Sequence, residues 1–432
     1  MTVLAPAPAA GPLVDRSLFG VYVHVPFCLT RCHYCDFVTY TGMEGLRRPY
    51  AAALLTEAGL AVAELGGSGP SPAAARSDLP VVTSVFVGGG TPTLLPPSDL
   101  ARVVGRLREL LPVAADAEVT VEANPETVDR ALADGLVAAG VTRVSLGAQS
   151  FDDRVLVALG RPHDAAQVAL AVAALRAAAG ARPGGLDLSL DLIFGCPGED
   201  EDSWGRSLET AVALGPEHLS AYALTIEHAT KFGRLVAAGH MVEPDEDLLA
   251  DRYETACAVL AGAGYGHYEV SNWARGPRDA GGMPAHASRH NRTYWRRGAY
   301  LGLGAGAHEF LVGQPAGPAS PGGPIGAAGP GGVRRWNLRV VPEYLAAVRE
   351  GRRPTEGHEA LDQRQARFEA LALRLRTVDG LAPGEARALG VDPDGPQVAE
   401  LRRAGLLAAC PGLRLTEHGM FLHGEVVSRL AP

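Results

Sequence analysis

Tyr22-Val23-His24-Val25-Pro26-Phe27-Cys28-Leu29-Thr30-Arg31-Cys32-His33-Tyr34-Cys35-Asp36-Phe37 is the stretch whose reading decides the fold. A β-prone run from Val21 to Val25 leads through Pro26 and Phe27 into three of the chain's six cysteines, all within eight residues. A Cys-x3-Cys-x2-Cys loop can turn three thiolates toward one point, as iron–sulfur clusters require, because a short loop imposes no helical or strand direction on successive side chains. Three thiolates on a four-iron cubane leave one iron open to a non-protein ligand. Structural zinc would want a fourth ligand, and His33, beside Cys32, cannot easily point the same way, while His24 lies back along the strand. Three unrelated buried cysteines are the remaining reading, and the spacing directly after a strand favours the cluster.

Working outward, short β-branched runs alternate with longer Ala/Leu-rich segments, the pattern of parallel strands joined by crossover helices. The spacing predicts strands at 20–25, 82–87, 118–122, 143–146, 187–193 and 218–224, with helices at 48–65, 98–111, 128–139 and 165–179 between them. The fold class expected is α/β, an incomplete (βα)6 TIM-like barrel. In such a barrel the residues that do chemistry sit at strand C-termini, whose loops converge on one mouth. The second strand runs into Gly88-Gly89-Gly90-Thr91-Pro92, where absent side chains let a ligand approach the backbone. The third ends in Glu122-Ala123-Asn124-Pro125, the fourth in Gly147-Ala148-Gln149-Ser150, and the fifth contains Asp191-Leu192-Ile193-Phe194-Gly195. Any one of these polar groups could simply satisfy loop backbone. Together they suit an adenosine ligand, with carboxylates accepting from ribose hydroxyls and ammonium and Gln149 both donating and accepting.

These residues resemble the radical S-adenosylmethionine (SAM) superfamily. More narrowly, Tyr22-x-His24-x-Pro26-Phe27-Cys28 and Cys35-Asp36-Phe37 are similar to the subgroup of oxygen-independent coproporphyrinogen oxidase and the HemW heme chaperones. The resemblance covers most of the chain, apart from the N-terminal tail and one insert. It implies that Cys28, Cys32 and Cys35 ligate a [4Fe-4S] cluster whose open iron binds the methionine part of SAM, with Gly89, Gly90 and Thr91 beside that part. It further implies SAM contacts from Glu122, Gln149, Asp191 and Arg161, the last within Leu159-Gly160-Arg161-Pro162-His163. Tyr22, Tyr34 and Ala223 correspond to additional contacts. The oxidase carries a further cysteine two residues past the third ligand, where this chain has Phe37, an aromatic ring suited to packing against the cluster loop. The implied function is therefore a heme chaperone that holds heme and passes it to acceptor proteins, membrane-associated ones included, with an electron donor for the cluster. A radical SAM decarboxylase of the coproporphyrinogen oxidase type is the alternative, so enzymatic activity stays open. A metal-dependent structural protein is the third class, and the convergent strand ends oppose it.

Beyond the barrel, a helix at 248–262 precedes His290-Asn291-Arg292-Thr293-Tyr294-Trp295. A histidine beside a Tyr-Trp pair is in general more often a hydrogen-bonded packing residue than a ligand. A neutral imidazole with aromatic flanks also suits an iron porphyrin. The HemW group carries this pattern and is linked through it to heme, which makes His290 the leading heme candidate, ahead of His267 and His308. Residues 313–332 hold eight Gly and five Pro, too little apolar surface to offset the entropy of ordering them. Helices at 342–349 and 360–375 lead into a smaller unit with helices at 383–389, 397–404 and 419–430 and strand-like 406–408 and 413–415. That unit reads as winged-helix-like. The domain plan is a disordered tail at 1–12, a radical SAM core at 13–250, a barrel-closing extension at 251–312, a disordered Gly/Pro-rich insert at 313–333 and a C-terminal helical unit at 334–432.

Composition bounds the rest. The chain has 432 residues, 47% of them hydrophobic, enough for a sizeable core and more than one domain. A net charge of −9, with Lys231 the only lysine and no basic run, argues against nucleic acid and anionic membranes as partners. Clustered cysteines fit metal binding in a reducing, cytoplasmic compartment better than disulfides. Cys196, Cys257 and Cys410 are isolated and read as small buried hydrophobes. The apolar start is broken by Pro6, Pro8 and Pro12 and lacks a positive n-region, so neither a signal peptide nor a membrane span is expected.

Overall fold

The computed structural model describes residues 13–66, 79–180, 185–312 and 331–431. The tail at 1–12 and residues 313–330 of the insert lie outside the described residues. Six parallel strands follow one another in chain order: β1 (Phe19–Val25), β2 (Val82–Gly89), β3 (Val113–Ala123), β4 (Arg143–Gln149), β5 (Asp187–Phe194) and β6 (His218–Ala223). Between them run α1 (Arg47–Glu64), α2 (Pro97–Leu110), α3 (Arg130–Ala138), α4 (Asp153–Leu159), α5 (Ala165–Ala179) and α6 (Glu201–Ala213). The strands are Val- and Leu-rich and largely buried, as a parallel sheet covered by crossover helices requires. Helix starts are chemically marked: Asp164 and Gln167 form a capping box at α5, and Asp200 and Ser203 form another at α6.

After β6 come α7 (Lys231–Ala237), α8 (Glu246–Gly262), the antiparallel pair β7 (Gly266–Glu269) and β8 (Asn272–Ala274), and α9 (Arg289–Trp295). The chain then returns to the other flank, where β9 (Ala299–Leu303) pairs parallel to β1, followed by β10 (His308–Leu311) and β11 (Val333–Asn337). Next come α10 (Val341–Arg349) and the edge strand β12 (Thr355–Ala360). The result is one twelve-stranded sheet in the order β12-β11-β10-β9-β1-β2-β3-β4-β5-β6-β8-β7, which stays open at its two edges. All six expected strands are present. The flanking six went unpredicted because they are short or polar; β12, Thr-Glu-Gly-His-Glu-Ala, exists through its ladder to β11 and not through strand propensity.

A second core is built by α11 (Gln363–Leu375), α12 (Pro383–Ala388), α13 (Pro396–Arg403), α14 (Glu417–Phe421) and α15 (His423–Leu430), packed through Leu371, Leu401, Met420 and Val427. Four expectations change. The helix expected from 360 starts at Gln363, because Asp362 caps it and Ala360 still belongs to β12. The helix expected over 419–430 breaks at Leu422, and the strand-like segments form no strands: they meet at the isolated bridge Leu407–Leu415, while Leu413 bridges Leu381. Gly331, Gly332 and Val333, assigned to the disordered insert, are ordered: Leu361 donates to the Gly332 carbonyl at 2.9 Å, and Val333 opens β11.

Glu57 of α1 ties the β9 flank to the barrel. Fully buried, it accepts from Gly304 N (2.8 Å), Asn337 Nδ2 (2.7 Å) and Tyr344 Oη (2.6 Å), so one carboxylate joins the β9–β10 turn, β11 and α10. Burial raises its pKa, opposed by the nearby Arg353 and these donors. Glu57→Ala removes the acceptor of three buried donors, of which Asn337 Nδ2 keeps its bond to Gly304 O, and is expected to lower stability by about 2–5 kcal/mol. Thermal melting checks this; a variant melting with the wild type would show that the tie is dispensable.

Candidate functional site

The C-terminal ends of β1–β6 surround a cavity of about 600 Å³, and the cysteine loop forms part of its wall. That loop is pinned by backbone bonds: Cys28 N to Tyr40 O (2.9 Å), His33 N to Leu159 O (3.0 Å) and Phe232 N to His33 O (3.0 Å). Cys28, Cys32 and Cys35 carry free thiols and all three line the cavity. Burial pushes the Cys28 thiol up to about 11 and raises that of Cys35, so thiolate there needs a compensating cation. The nearby histidines are engaged elsewhere. His33 spends Nδ1 on Ala158 O (2.9 Å) and Nε2 on Lys231 Nζ (2.8 Å), and His24 spends its ring on Tyr22 Oη and Val38 O. Among the described residues, only Cys257, His267 and Glu417 bring three ligand atoms within 4.8 Å of one another. The three loop thiols do not all come within that distance of one another.

The Gly-rich turn after β2 is shaped first by its own packing. A Cβ at Gly90 would lie 2.6 Å from Phe27 O and 3.0 Å from Cys28 Sγ, and one at Gly89, at φ +115°, would strike the His24 ring. Gly89 N donates to Glu122 Oε2 at 2.9 Å, joining the turn to β3. Thr91 is buried behind it, where its hydroxyl accepts from Asn124 Nδ2 at 2.9 Å and approaches Cys28 Sγ at 3.8 Å.

Arg161, just past the αL cap Gly160 of α4, reaches back into the cavity. It places Nη1 3.2 Å from Cys32 Sγ and Nη2 2.6 Å from Asn124 Oδ1 and 3.0 Å from Gly147 O, while its buried Nε has no partner among the described residues. Gln149 lines the same wall in the left-handed region, at φ 64°, a costly conformation for a residue with a side chain. Asp191 accepts from Ser145 and Ser220 at 2.8 Å, and burial raises its pKa. Burial also pushes Glu122 up to about 7, with the Asp191 charge adding to the effect.

Of the residues singled out in the sequence, Tyr34, Gly89, Gly90, Glu122, Gln149, Arg161, Asp191 and Ala223 line this cavity with the three cysteines. Thr91 and Tyr22 sit behind the lining; the Tyr22 ring stacks on Phe86, which does line it. Asn124, which bridges Thr91 and Arg161, went unassigned although it lies two residues past Glu122 at a strand end. Arg143, Ser145, Ser189 and Ser220 also line the cavity and were missed, because within strands they read as ordinary polar positions.

Two expectations are corrected. Phe37 does not pack against the cluster loop; it is 69% exposed at the cavity wall. His290 does not face an open bed for a porphyrin: it is 1% exposed, with Nδ1 3.0 Å from Ser84 Oγ, Nε2 2.8 Å from Tyr294 Oη and its ring stacked on Phe86. Burial pushes its pKa down to about 3. Both nitrogens are taken because Glu118 accepts from the backbone N–H groups of Arg289 and His290, seating the start of α9 against the sheet. His267 is buried too, its ring stacked on Trp273.

Comparison with known proteins gives a consistent picture. A Radical SAM superfamily profile matches residues 22–211. The chain is 40% identical over 375 residues to the heme chaperone HemW of Mycobacterium tuberculosis, covering 87% of this chain and 85% of that protein. It is 32% identical over 414 residues to the heme chaperone HemW of Bacillus subtilis, covering 94% and 97%. Among solved structures, the coproporphyrinogen III oxidase HemN of Escherichia coli superposes with a TM-score of 0.72 at 21% identity, over 96% of this chain and 90% of that one, a likeness of fold.

The elevated Glu122 has a testable consequence in the ligand-free protein. Unfolded, the group ionises in the ordinary carboxylate range; folded, it keeps its proton to about 7. Between those limits the folded state binds the extra proton, so stability falls as pH rises through the window. Glu122→Gln is expected to melt a few degrees above the wild type at about pH 8, with the gap closing toward about pH 5. Equal melting at both values would show that the buried carboxyl carries no such penalty.

Proposed function

We propose that this chain, which belongs to the radical SAM superfamily and within it to the HemW heme-chaperone family, binds heme and transfers it to acceptor proteins, with a [4Fe-4S] cluster and SAM held at the strand-end cavity. The observation that carries this is the meeting of Cys28, Cys32 and Cys35 with Gly90, Glu122, Gln149, Arg161 and Asp191 on one cavity. When bound, the cluster supplies an open coordination site and a redox centre. Cys28, Cys32 and Cys35 are its assigned ligands. Arg161 steadies the sulfur of Cys32 and holds Asn124 and the Gly147 carbonyl in place.

The remaining groups suit the parts of SAM. Gly89, Gly90 and Thr91 shape the wall beside the cysteine loop, where the methionine part lies in this assignment. Glu122 and Asp191 offer acceptors, Gln149, Ala223 and Tyr34 line the same cavity, and Tyr22 stacks on its lining residue Phe86. A cluster that changes oxidation state needs an electron donor, and heme acceptors at a membrane fit a carrier in which no helix among the described residues is long and apolar enough to cross one. Clustered reduced thiols support a cytoplasmic location. The units of the chain are assigned as the core at 13–250, the extension at 251–312 and the C-terminal helical unit, with the sheet's last two strands, β11 and β12, grouped with the extension by pairing.

Two measurements test the reading. Replacing Cys28, Cys32 or Cys35 by Ser is expected to abolish bound iron and sulfide in anaerobically rebuilt protein, while Cys196→Ser, Cys257→Ser and Cys410→Ser retain both; equal loss in the two groups would remove the cluster assignment. The intact protein is also expected to bind heme in an optical titration yet leave coproporphyrinogen unchanged when SAM and a reductant are supplied, since Phe37 stands where the oxidase has its extra cysteine. Decarboxylation at enzymatic rates would replace the chaperone reading with the oxidase one.

A further inference from the structure

Away from the strand-end cavity, one group of side chains has the composition of a metal site. Cys257 of α8, His267 of β7 and Glu417 of α14 bring a thiol sulfur, a ring nitrogen and a carboxylate oxygen within 4.8 Å of one another. None of the three lines the cavity. Cys257 and His267 are buried and Glu417 is exposed, so the cluster is seated in protein yet reachable by an ion from solvent.

The bonds that would make this an ordinary packing cluster are missing. His267 is 9% exposed, its Nδ1 is buried with no partner among the described residues, and its Nε2 reaches only Val270 O and Tyr253 Oη, at 3.4 Å each. A buried polar atom left so is uncommon and calls for a ligand or another explanation. The ring keeps a lone pair to give, and stacking on Trp273, with centroids 4.4 Å apart and planes at 8°, fixes its plane. Burial pushes the imidazole down to about 4, so it is neutral, as coordination requires. Cys257 carries a free thiol, and Glu417 makes no hydrogen bond or ion pair among the described residues. Burial, with the charges of Glu417 and Glu254, pushes the Cys257 thiol up to about 12, and a cation at this point would offset all three.

We infer that Cys257, His267 and Glu417 bind a zinc ion, with water in the fourth position, and that the ion fastens the C-terminal helical unit to the edge of the sheet. A thiolate and an imidazole select zinc over magnesium or calcium, which take oxygen ligands. Ligand atoms around a tetrahedral zinc stand about 3.5 Å apart, so the three have only about 1 Å to draw in, and the exposed, unpaired Glu417 side chain is the one free to move. The ion lies on a seam that other contacts already cross. Arg376 Nε donates to Glu269 at 2.6 Å, Val378 N donates to Tyr268 O at 3.0 Å, and the Tyr253 and Phe421 rings have centroids 5.3 Å apart. The edge strand β7 and the short α14 thus gain a shared ligand where each supplies one donor, with the third from α8.

The test is anaerobic equilibrium dialysis of the full chain, cluster rebuilt, against zinc chloride, with zinc, iron and sulfide measured on the same samples. The wild type is expected to hold a single zinc per chain beside its cluster. Cys257→Ser and Glu417→Gln are each expected to weaken zinc binding by about tenfold or more, with iron and sulfide unchanged. Glu417 is exposed, so its variant keeps the fold even if the Cys257 variant does not. Zinc is also expected to raise the melting temperature of the wild type and to leave that of Glu417→Gln nearly unmoved, because an ion that binds only the folded state stabilises it. Zinc held equally by the wild type and both variants would put the metal elsewhere, the cysteine loop included, and overturn the site. No zinc bound by the wild type would overturn it as well. Either result leaves the heme and cluster readings untouched, since the three residues lie outside the cavity.

Discussion

No side chain fits between Gly89 and Gly90 and the end of β1, and the arrangement of the site follows from that contact. With Val25 in register against Gly89, the Gly90 N–H reaches the Val25 carbonyl at 2.8 Å and the Thr91 N–H reaches Phe27 O at 2.7 Å. The cysteine loop therefore leaves β1 already pressed onto the second strand's turn. Glu122 takes the Gly89 N–H, bringing the third strand into the same contact. Any Cβ at Gly90 would push on Cys28, so the position of the first thiol and the absence of a side chain in the neighbouring strand's turn are one requirement.

The interior of this open barrel is polar where a packed one would be apolar. Ser145, Ser189 and Ser220 surround Asp191, and Arg143 lies between Glu118 and Asp187 at 3.1 Å from each. Buried charge is costly unless it is paired and hydrogen-bonded, and here the pairing is incomplete: Arg143 Nη1 and Thr120 Oγ1 have no partner among the described residues although both residues line the cavity. A cavity with protonatable Glu122 and unspent donors is organised around a polar ligand more than around its own stability.

The same polar chemistry closes the other end and buries His290. Glu118 accepts from Arg143 and from the first N–H groups of α9, which presses His290 between Ser84, Tyr294 and Phe86. An imidazole with aromatic neighbours thus became a packing element. At the flank of the sheet, by contrast, the cross-strand row leaves His308 exposed with its ring stacked on Trp336.

The amino-acid order by itself determined the six βα units and the cluster loop, since both depend on local pattern: β-branched runs of strand length, Ala-rich helices between them, and thiols at loop spacing. It also determined most of the cavity lining, because parallel strands bring all their C-termini to one side, so Glu122, Gln149 and Asp191 could be placed by strand position alone. Tertiary structure decided what depends on non-local pairing. The strands β8, β9, β11 and β12 ladder with neighbours distant in sequence or across the insert, and Gly331 to Val333 are ordered by β12 despite their composition. Asn124 gains its role only when Arg161, 37 residues on, reaches it. The directions of His290, His308 and Phe37 were likewise set by packing, because a motif states which groups are neighbours in the chain, while burial and hydrogen bonding with remote elements state which of them faces solvent.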